Sequence, residues 1–436
     1  MDKQIKTYNS DLFNFIQASP TPYHCINNCS TYLESKGYEQ LFETDYWALK
    51  RPGTYLVSRN GTLIAFHLNH TSEPSAGFRI IGAHTDSPAL QIKPHSKNGS
   101  DDYFLTGVEK YGGPLLSTWF DRDLSIAGRV VVKLSTGKLE TFLINVEKPL
   151  LFIPSVAIHL NRKANEANPI KVQEHMSPLW GAQESDSPIQ LPTLILDFLK
   201  NQYQSMVVEK LLGFDLFCYD TSEPVYIGLN DDFISAPRLD NQLSCFSAIR
   251  SIATAKHQTN SMIVLSNHEE IGSRTSSGAL SNFLDEVFNR IYSNPEKKSI
   301  GMRNSFFLSL DNAHATHPNY GGLTDSDHPV TLNNGPVIKI NANQRYATNA
   351  LTGSLIRDLA ESCGLETQDF IMNSDMPAGS TIGPLLSAKL GLTTADVGAP
   401  TFGMHSIREL TGSKDPYELM VLSKALFERK TVTVEE

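Results

Sequence analysis

Residues 77–88 read GFRIIGAHTDSP. The apolar run from Phe78 to Ala83 ends abruptly in His84, Thr85 and Asp86, and Pro88 closes the segment. A strand buried on both faces of an α/β sheet has this character, with polar residues where the chain emerges at the sheet's carboxyl edge. The segment therefore predicts an α/β sheet that delivers side chains to one edge. The same signature returns downstream in SMIVLSNHEEIG (261–272) and SFFLSLDNAH (305–314), and GPVIKINAN (335–343) reads as a further strand. Helix-like stretches lie between and after these strands, for example NALTGSLIRDLAESCG (349–364) and YELMVLSKALFERK (417–430).

Upstream, the first 40 residues read as two helices broken at Ser19-Pro20, the second running from about Pro22 to Lys36. TYLVSR (54–59) and GTLIAFHL (61–68) read as strands. The middle differs. VEKYGG, AGRVVVKL, LETFLINV, FDLFCYD and EPVYIGL are short β-type runs punctuated by Pro, Gly and Asn, with one helix near Leu191–Asn201. The expected organisation is a split catalytic domain, 1–89 and 235–436, interrupted by a β-rich insertion at 90–234.

The 436-residue chain exceeds one hydrophobic core, which supports two domains. A formal charge of -10 argues against nucleic acid as a partner. No long apolar run suggests a membrane span, and no signal-peptide pattern opens the sequence, so a cytoplasmic protein is expected. The five scattered cysteines agree. Cys25 and Cys29, with His24 beside them, have a spacing that could hold a metal on a helix. Two thiols without a second pair read better as core.

Five polar clusters fall at the ends of apolar runs: His84-Thr85-Asp86, Asp240-Asn241, His268-Glu269-Glu270, Asp311-Asn312 and His405. Carboxylates gathered at one sheet edge would repel one another, and burying them costs several kcal/mol each. Divalent cations remove that problem. Two imidazoles with three carboxylates suit zinc, with manganese or cobalt as substitutes. One carboxylate can bridge two ions about 3.5–4 Å apart. Glu269 and Glu270 are chain neighbours that point differently, so one is read as a ligand and the other as a general base. In an extended segment Asp86 shares a face with His84 and is expected to orient its imidazole.

HTDSP (84–88), RLDNQ (238–242), NHEEIGS (267–273), LDNAHATHPNY (310–320), KINANQRYATN (339–349), TIGP (381–384) and MHSIRE (404–409) together resemble the M18 metallopeptidases, the aspartyl aminopeptidase and vacuolar aminopeptidase I family. The resemblance implies a phosphorylase/hydrolase-like α/β zinc peptidase domain with an inserted, mostly β dimerisation domain. It implies two zinc ions held by His84, Asp240, Glu270, Asp311 and His405, with Asp240 bridging and Glu269 as the base. It implies removal of single residues from peptides with a free N-terminus, and a homo-oligomer, a dodecamer. His159, in PSVAIHLNR (154–162), resembles a histidine that reaches a neighbouring subunit's site. Acid-preferring members carry a Lys where this chain has Asn343, which puts a preference for N-terminal Asp or Glu in doubt. Asn343, Tyr346, Gly379 and Ser380 are the expected substrate-binding residues, with Thr381 in the same polar loop. Two other readings fit weaker versions of the pattern: a non-catalytic scaffold on an inactive peptidase fold, and another metal hydrolase such as a carboxypeptidase or N-acyl amino acid deacylase.

Overall fold

The computed structural model describes residues 2–70, 76–95, 103–166, 168–182, 191–203 and 207–432. The protein is mixed α/β, with four sheets among the described residues. It divides into two compact units: residues 1–86, 224–404 and 409–436 form the first, residues 87–223 and 405–408 the second.

The first unit is built on nine strands: β1 (Glu39–Leu41), β2 (Gly53–Arg59), β3 (Thr62–Leu68), β4 (Phe78–His84), β5 (Asn260–Ser266), β6 (Phe306–Leu310), β7 (Val337–Lys339), β8 (Gln368–Phe370) and β9 (Thr393–Gly398). Their order across the sheet is β1-β2-β3-β5-β4-β6-β9-β7-β8. The four central strands β5, β4, β6 and β9 run parallel. Every residue of β4, β5 and β6 is buried, as the continuous apolar runs require. Alternate residues feed opposite faces. Ile81, Ala83, Ile263, Leu265, Phe306 and Leu308 join one core cluster, whereas Ile80, Met262, Val264 and Phe307 join the other.

Helices cover both faces. Lys3–Ala18, Pro22–Glu34, Leu239–Thr254 and Asp415–Glu428 pack on the first cluster, and Phe283–Ile291 and Ile382–Leu390 on the second. Thr21 caps the helix from Pro22, with Pro at its first position, which explains the break at Ser19-Pro20. A second sheet of this unit pairs Val225–Ile227, Phe233–Ala236, Glu409–Gly412, Pro400–Phe402 and Ala313–His314.

The second unit holds a five-stranded sheet in which Leu124–Leu134 lies between Val208–Asp220 and Leu139–Asn145, antiparallel to both. The helix Leu191–Gln202 packs Ile195 and Leu199 into its core.

The sequence reading places the insertion at 90–234, and the units divide elsewhere. From Pro224 on, the EPVYIGL run belongs to the first unit, because Val225–Ile227 pairs with Phe233–Ala236, which pairs with Glu409–Gly412. At the other border the chain enters the second unit's sheet directly after Asp86. The sequence reading also passes over β9, a central strand whose sequence TTADVG carries a buried Asp.

Candidate metal centre

Parallel pairing aligns the strand ends. Ser266 of β5 lies opposite His84 of β4, and Ser309 of β6 opposite Gly82. β4 ends on His84, β6 runs into Asp311 one residue past its end, and β5 runs through Asn267 and His268 into a short 3-10 turn, Glu269–Ile271. Asp240 arrives from a different element. It sits at an irregular start of the helix Leu239–Thr254, where Arg238 is left-handed (φ 55°) and Asp240 and Asn241 are not helical. Two buried hydrogen bonds anchor this start. The Asp240 backbone N–H donates to Glu409 Oε2 at 2.8 Å, and Asn241 Nδ2 donates to the Leu310 carbonyl at 2.8 Å. The second bond ties Asp240's neighbour to the residue before Asp311.

The result is a compact donor set. His84, Asp240 and Asp311 each offer a ligand atom within 4.8 Å of the others, and all three residues are buried. His84, Glu269 and Glu270 form a second such group. His84 Nδ1 lies 3.0 Å from the Asp86 carbonyl oxygen, which can only accept, so the proton sits on Nδ1. The other ring nitrogen, Nε2, faces Asp240 Oδ1 at 3.3 Å.

The expected role of Asp86 needs correction. Its carbonyl, not its carboxylate, fixes the His84 ring; the nearer carboxylate oxygen is 3.7 Å from Nδ1. The carboxylate instead accepts from the backbone N–H groups of Glu269 and Glu270, both at 3.1 Å. Asp86 thus holds the turn that aims both glutamates.

The electrostatics fit a divalent cation. Burial pushes the Glu269 carboxyl up to about 7, against the pull of His84, with Asp311, Asp86 and Asp240 adding to the rise. Burial likewise raises Asp311, which Lys339 and His84 oppose. Burial alone would lower the His84 imidazolium, but Asp240, Glu269 and Asp311 outweigh it and hold it well above its ordinary value. Clustered buried carboxylates lift one another's pKa values in this way when the positive charge they face is too small. Imidazole with carboxylates suits zinc.

Lys339 was not foreseen. It ends β7, is 3% exposed, and places Nζ 3.5 Å from Asp311 Oδ1. Asp396 of β9 was missed as well. Fully buried, it accepts from Thr381 Oγ1 and from the Ala347 backbone N–H, both at 2.6 Å. One side chain so anchors two loops. For Lys339 the available signal was a charged residue in an otherwise apolar strand, VIK.

Those loops carry the expected substrate-binding residues. Asn343 is exposed, with its backbone N–H bonded to Asn341 Oδ1. Gly379 and Ser380 are exposed and joined to the first loop: Arg345 Nε donates to the Gly379 carbonyl, and Ser380 Oγ to the Arg345 carbonyl. Tyr346 departs from expectation. At 4% exposure it is packed with Val337 and Phe370, its ring 5.3 Å from Lys339 Nζ, and it offers almost no surface to a substrate. His405 (φ 68°) lies in the four-residue segment that groups with the second unit, its Nδ1 3.1 Å from the Gly113 carbonyl. The chain around it leaves the first unit at Met404 and returns at Glu409, the residue that holds the Asp240 backbone. His159 is exposed on a turn of the second unit. Cys25 and Cys29 are fully buried core residues, and no metal-type group among the described residues includes them.

The family model described as aminopeptidase I zinc metalloprotease (M18) matches residues 15–427. The chain belongs to the M18 family. A probable M18 family aminopeptidase 2 of Pseudomonas paraeruginosa is 43% identical to this M18 chain over 420 residues, covering 96% of this chain and 97% of the relative. Among solved structures, a chain of the Ape4 and Nbr1 complex matches with a TM-score of 0.94 at 36% identity, covering 98% of this chain and 86% of that one. The mApe1 dodecamer of S. cerevisiae matches with a TM-score of 0.84 at 26% identity, covering 98% of both chains. This M18 aminopeptidase is accordingly a peptide hydrolase of a zinc metalloprotease family. No helix among its described residues is long and apolar enough to cross a membrane.

Proposed function

We propose that this M18 enzyme removes single N-terminal residues from peptides using two zinc ions. The observation that carries the reading is the convergence of His84, Asp311, Glu269 and Glu270, from the carboxyl ends of β4, β6 and β5, with Asp240 from the start of the helix Leu239–Thr254. His84 and Asp311 would hold one ion, Glu270 and His405 the other, with Asp240 between them; manganese or cobalt could replace zinc. When bound, the metal polarises the scissile carbonyl and activates water. Glu269 is the base: its carboxylate takes the proton of the attacking water and delivers it to the leaving amine. Asp86 keeps Glu269 aimed by gripping the backbone of its turn.

On this reading the fold is the phosphorylase/hydrolase-like peptidase fold. The β-rich insertion is its dimerisation domain, and the assembly is a homo-oligomer, a dodecamer as in the mApe1 relative. His159 would serve a neighbouring copy's site. Val156, Ile158 and Leu160 around it are exposed apolar residues, which suits a segment covered on assembly. Five cysteines outside any disulfide suit the reducing cytoplasm.

Asn343, Gly379 and Ser380 face the substrate's first residue. An amide hydrogen-bonds a carboxylate without pairing its charge, so neutral N-terminal residues are accepted as well as acidic ones. The test is amino-acid release from peptides beginning with Asp, Glu, Leu, Met or Lys, with free or acetylated N-termini. Cleavage of free-amine peptides alone, with an Asp-to-Leu rate ratio near one or below, supports the reading. Preferential cleavage of acetylated peptides would replace it with a deacylase.

A further inference from the structure

We propose that Lys339 is the fixed counter-charge of this metal centre: it holds the Asp311 carboxylate in place while weakening the centre's grip on its cation. The proposal rests on the zinc reading given above. A lysine inside a strand whose three residues are all buried is costly unless an opposite charge meets it. The side chain has little choice of partner. The Asp396 carboxylate on the adjoining strand is already engaged by Thr381 Oγ1 and the Ala347 N–H. Asp311 is the carboxylate at ion-pair distance, 3.5 Å from Nζ to Oδ1. The Tyr346 ring lies 5.3 Å from Nζ, within reach of a cation–π contact that also favours this position of the ammonium.

Two consequences follow from that placement. Without metal, the ammonium offsets part of the charge of the clustered carboxylates, and the donor set stays assembled. With metal, a permanent positive charge one side chain away opposes the incoming cation. Packing and charge therefore predict opposite effects on zinc. A residue that only fills space weakens the site when replaced. A residue that supplies opposing charge tightens it.

The test compares the wild-type protein with K339M, which keeps the length and apolar stem of the side chain. Zinc affinity is measured by competition with a chelator, and melting is recorded with and without zinc. The expected result is zinc binding at least about tenfold tighter in K339M, the scale of one unit charge at short range in a partly buried site. The metal-free variant should also melt lower, so zinc raises its Tm by more than it raises the wild type's. Unchanged or weaker zinc binding in K339M overturns the proposal. Folding of K339M only in the presence of zinc would be the extreme form of the expected result. If K339M fails to fold even with zinc, the K339M/D311N double variant decides: recovered folding supports the pairing, and no recovery refutes it. D311N separates the two readings. If it loses zinc while K339M and wild type bind alike, only the role of Lys339 fails; if the wild type takes up no zinc, the metal centre itself fails.

Discussion

At the scale of single residues, part of the donor cluster was legible in the sequence. His84, Asp311 and the Glu269-Glu270 pair follow apolar strands of the α/β sheet, Asp240 joins from the irregular start of a helix, and the fold brings them together. The details decided by tertiary contact were not legible. Spacing alone put the Asp86 carboxylate on His84, but the chain turns so that the carbonyl takes the ring and the carboxylate takes the backbone of residues 269 and 270. Tyr346 sits in a motif full of polar residues and is nevertheless buried, because the β7 lysine and Phe370 pack on it. The division of labour between the two glutamates gives a sharp expectation. Glu269→Gln removes the proton carrier and keeps the shape. Its kcat should fall about 10²–10⁴-fold with zinc content unchanged. A variant that kept near-normal kcat would remove Glu269 from the reaction; one that lost its zinc would make Glu269 a ligand.

At the scale of elements, the decisive feature is how closely the strand ends approach. A Cβ on Gly398, at the end of β9, would overlap the backbone carbonyl of Asp311. The ligand's main chain is thus seated against a glycine on the neighbouring strand. Gly398→Ala should push Asp311 out of register with His84. It should cost about 1–3 kcal/mol of stability and shorten the time for which zinc is retained against a chelator. Wild-type zinc retention in this variant would show that the strand ends tolerate movement. The parallel strands β4, β5 and β6 were readable because both their faces are buried and their sequences are continuous apolar runs. β9 was not, although it lies beside β6. Its Thr394 and Asp396 are buried too, but they are satisfied by hydrogen bonds to Leu392, Thr381 and Ala347 that the linear sequence does not announce. The start of the helix at Leu239 was hidden for a similar reason. Its irregular backbone is held by Glu409 and Leu310, residues distant in sequence.

At the scale of the molecule, burial of neutral histidines outside the metal centre should govern acid stability. Burial pushes His24 down to about 4, with Arg238 adding, and His67 to about 4, with His257 adding. His257 is lowered by burial as well, and its ring stacks on that of His67 at 4.3 Å. Its Nε2 donates to the Ile252 carbonyl and its Nδ1 meets Ser261 Oγ, the arrangement of a neutral ring. For each ring the unfolded chain binds the proton more readily, at about 6.5. Stability is therefore full above pH 6.5 and falls as the pH drops toward 4. His67 is partly exposed, so screening limits its share to about 1 kcal/mol. The Tm of His67→Phe should decline less than that of the wild type between pH 6.5 and 4; an equal decline would remove the buried pair from the account. A change of organisation was visible in composition, from the shift to short β runs between Leu90 and about Ile234. The borders were not, because strand pairing rather than composition assigns Val225–Ile227 and the segment 405–408.

The most direct measurement is a zinc titration of the chelated wild-type enzyme, following amino-acid release from a free-amine peptide as metal is returned. Release should be absent after chelation and should climb to a plateau at about two zinc ions per chain. Full activity in the chelated protein, or a plateau reached at one ion per chain, would contradict the two-metal account.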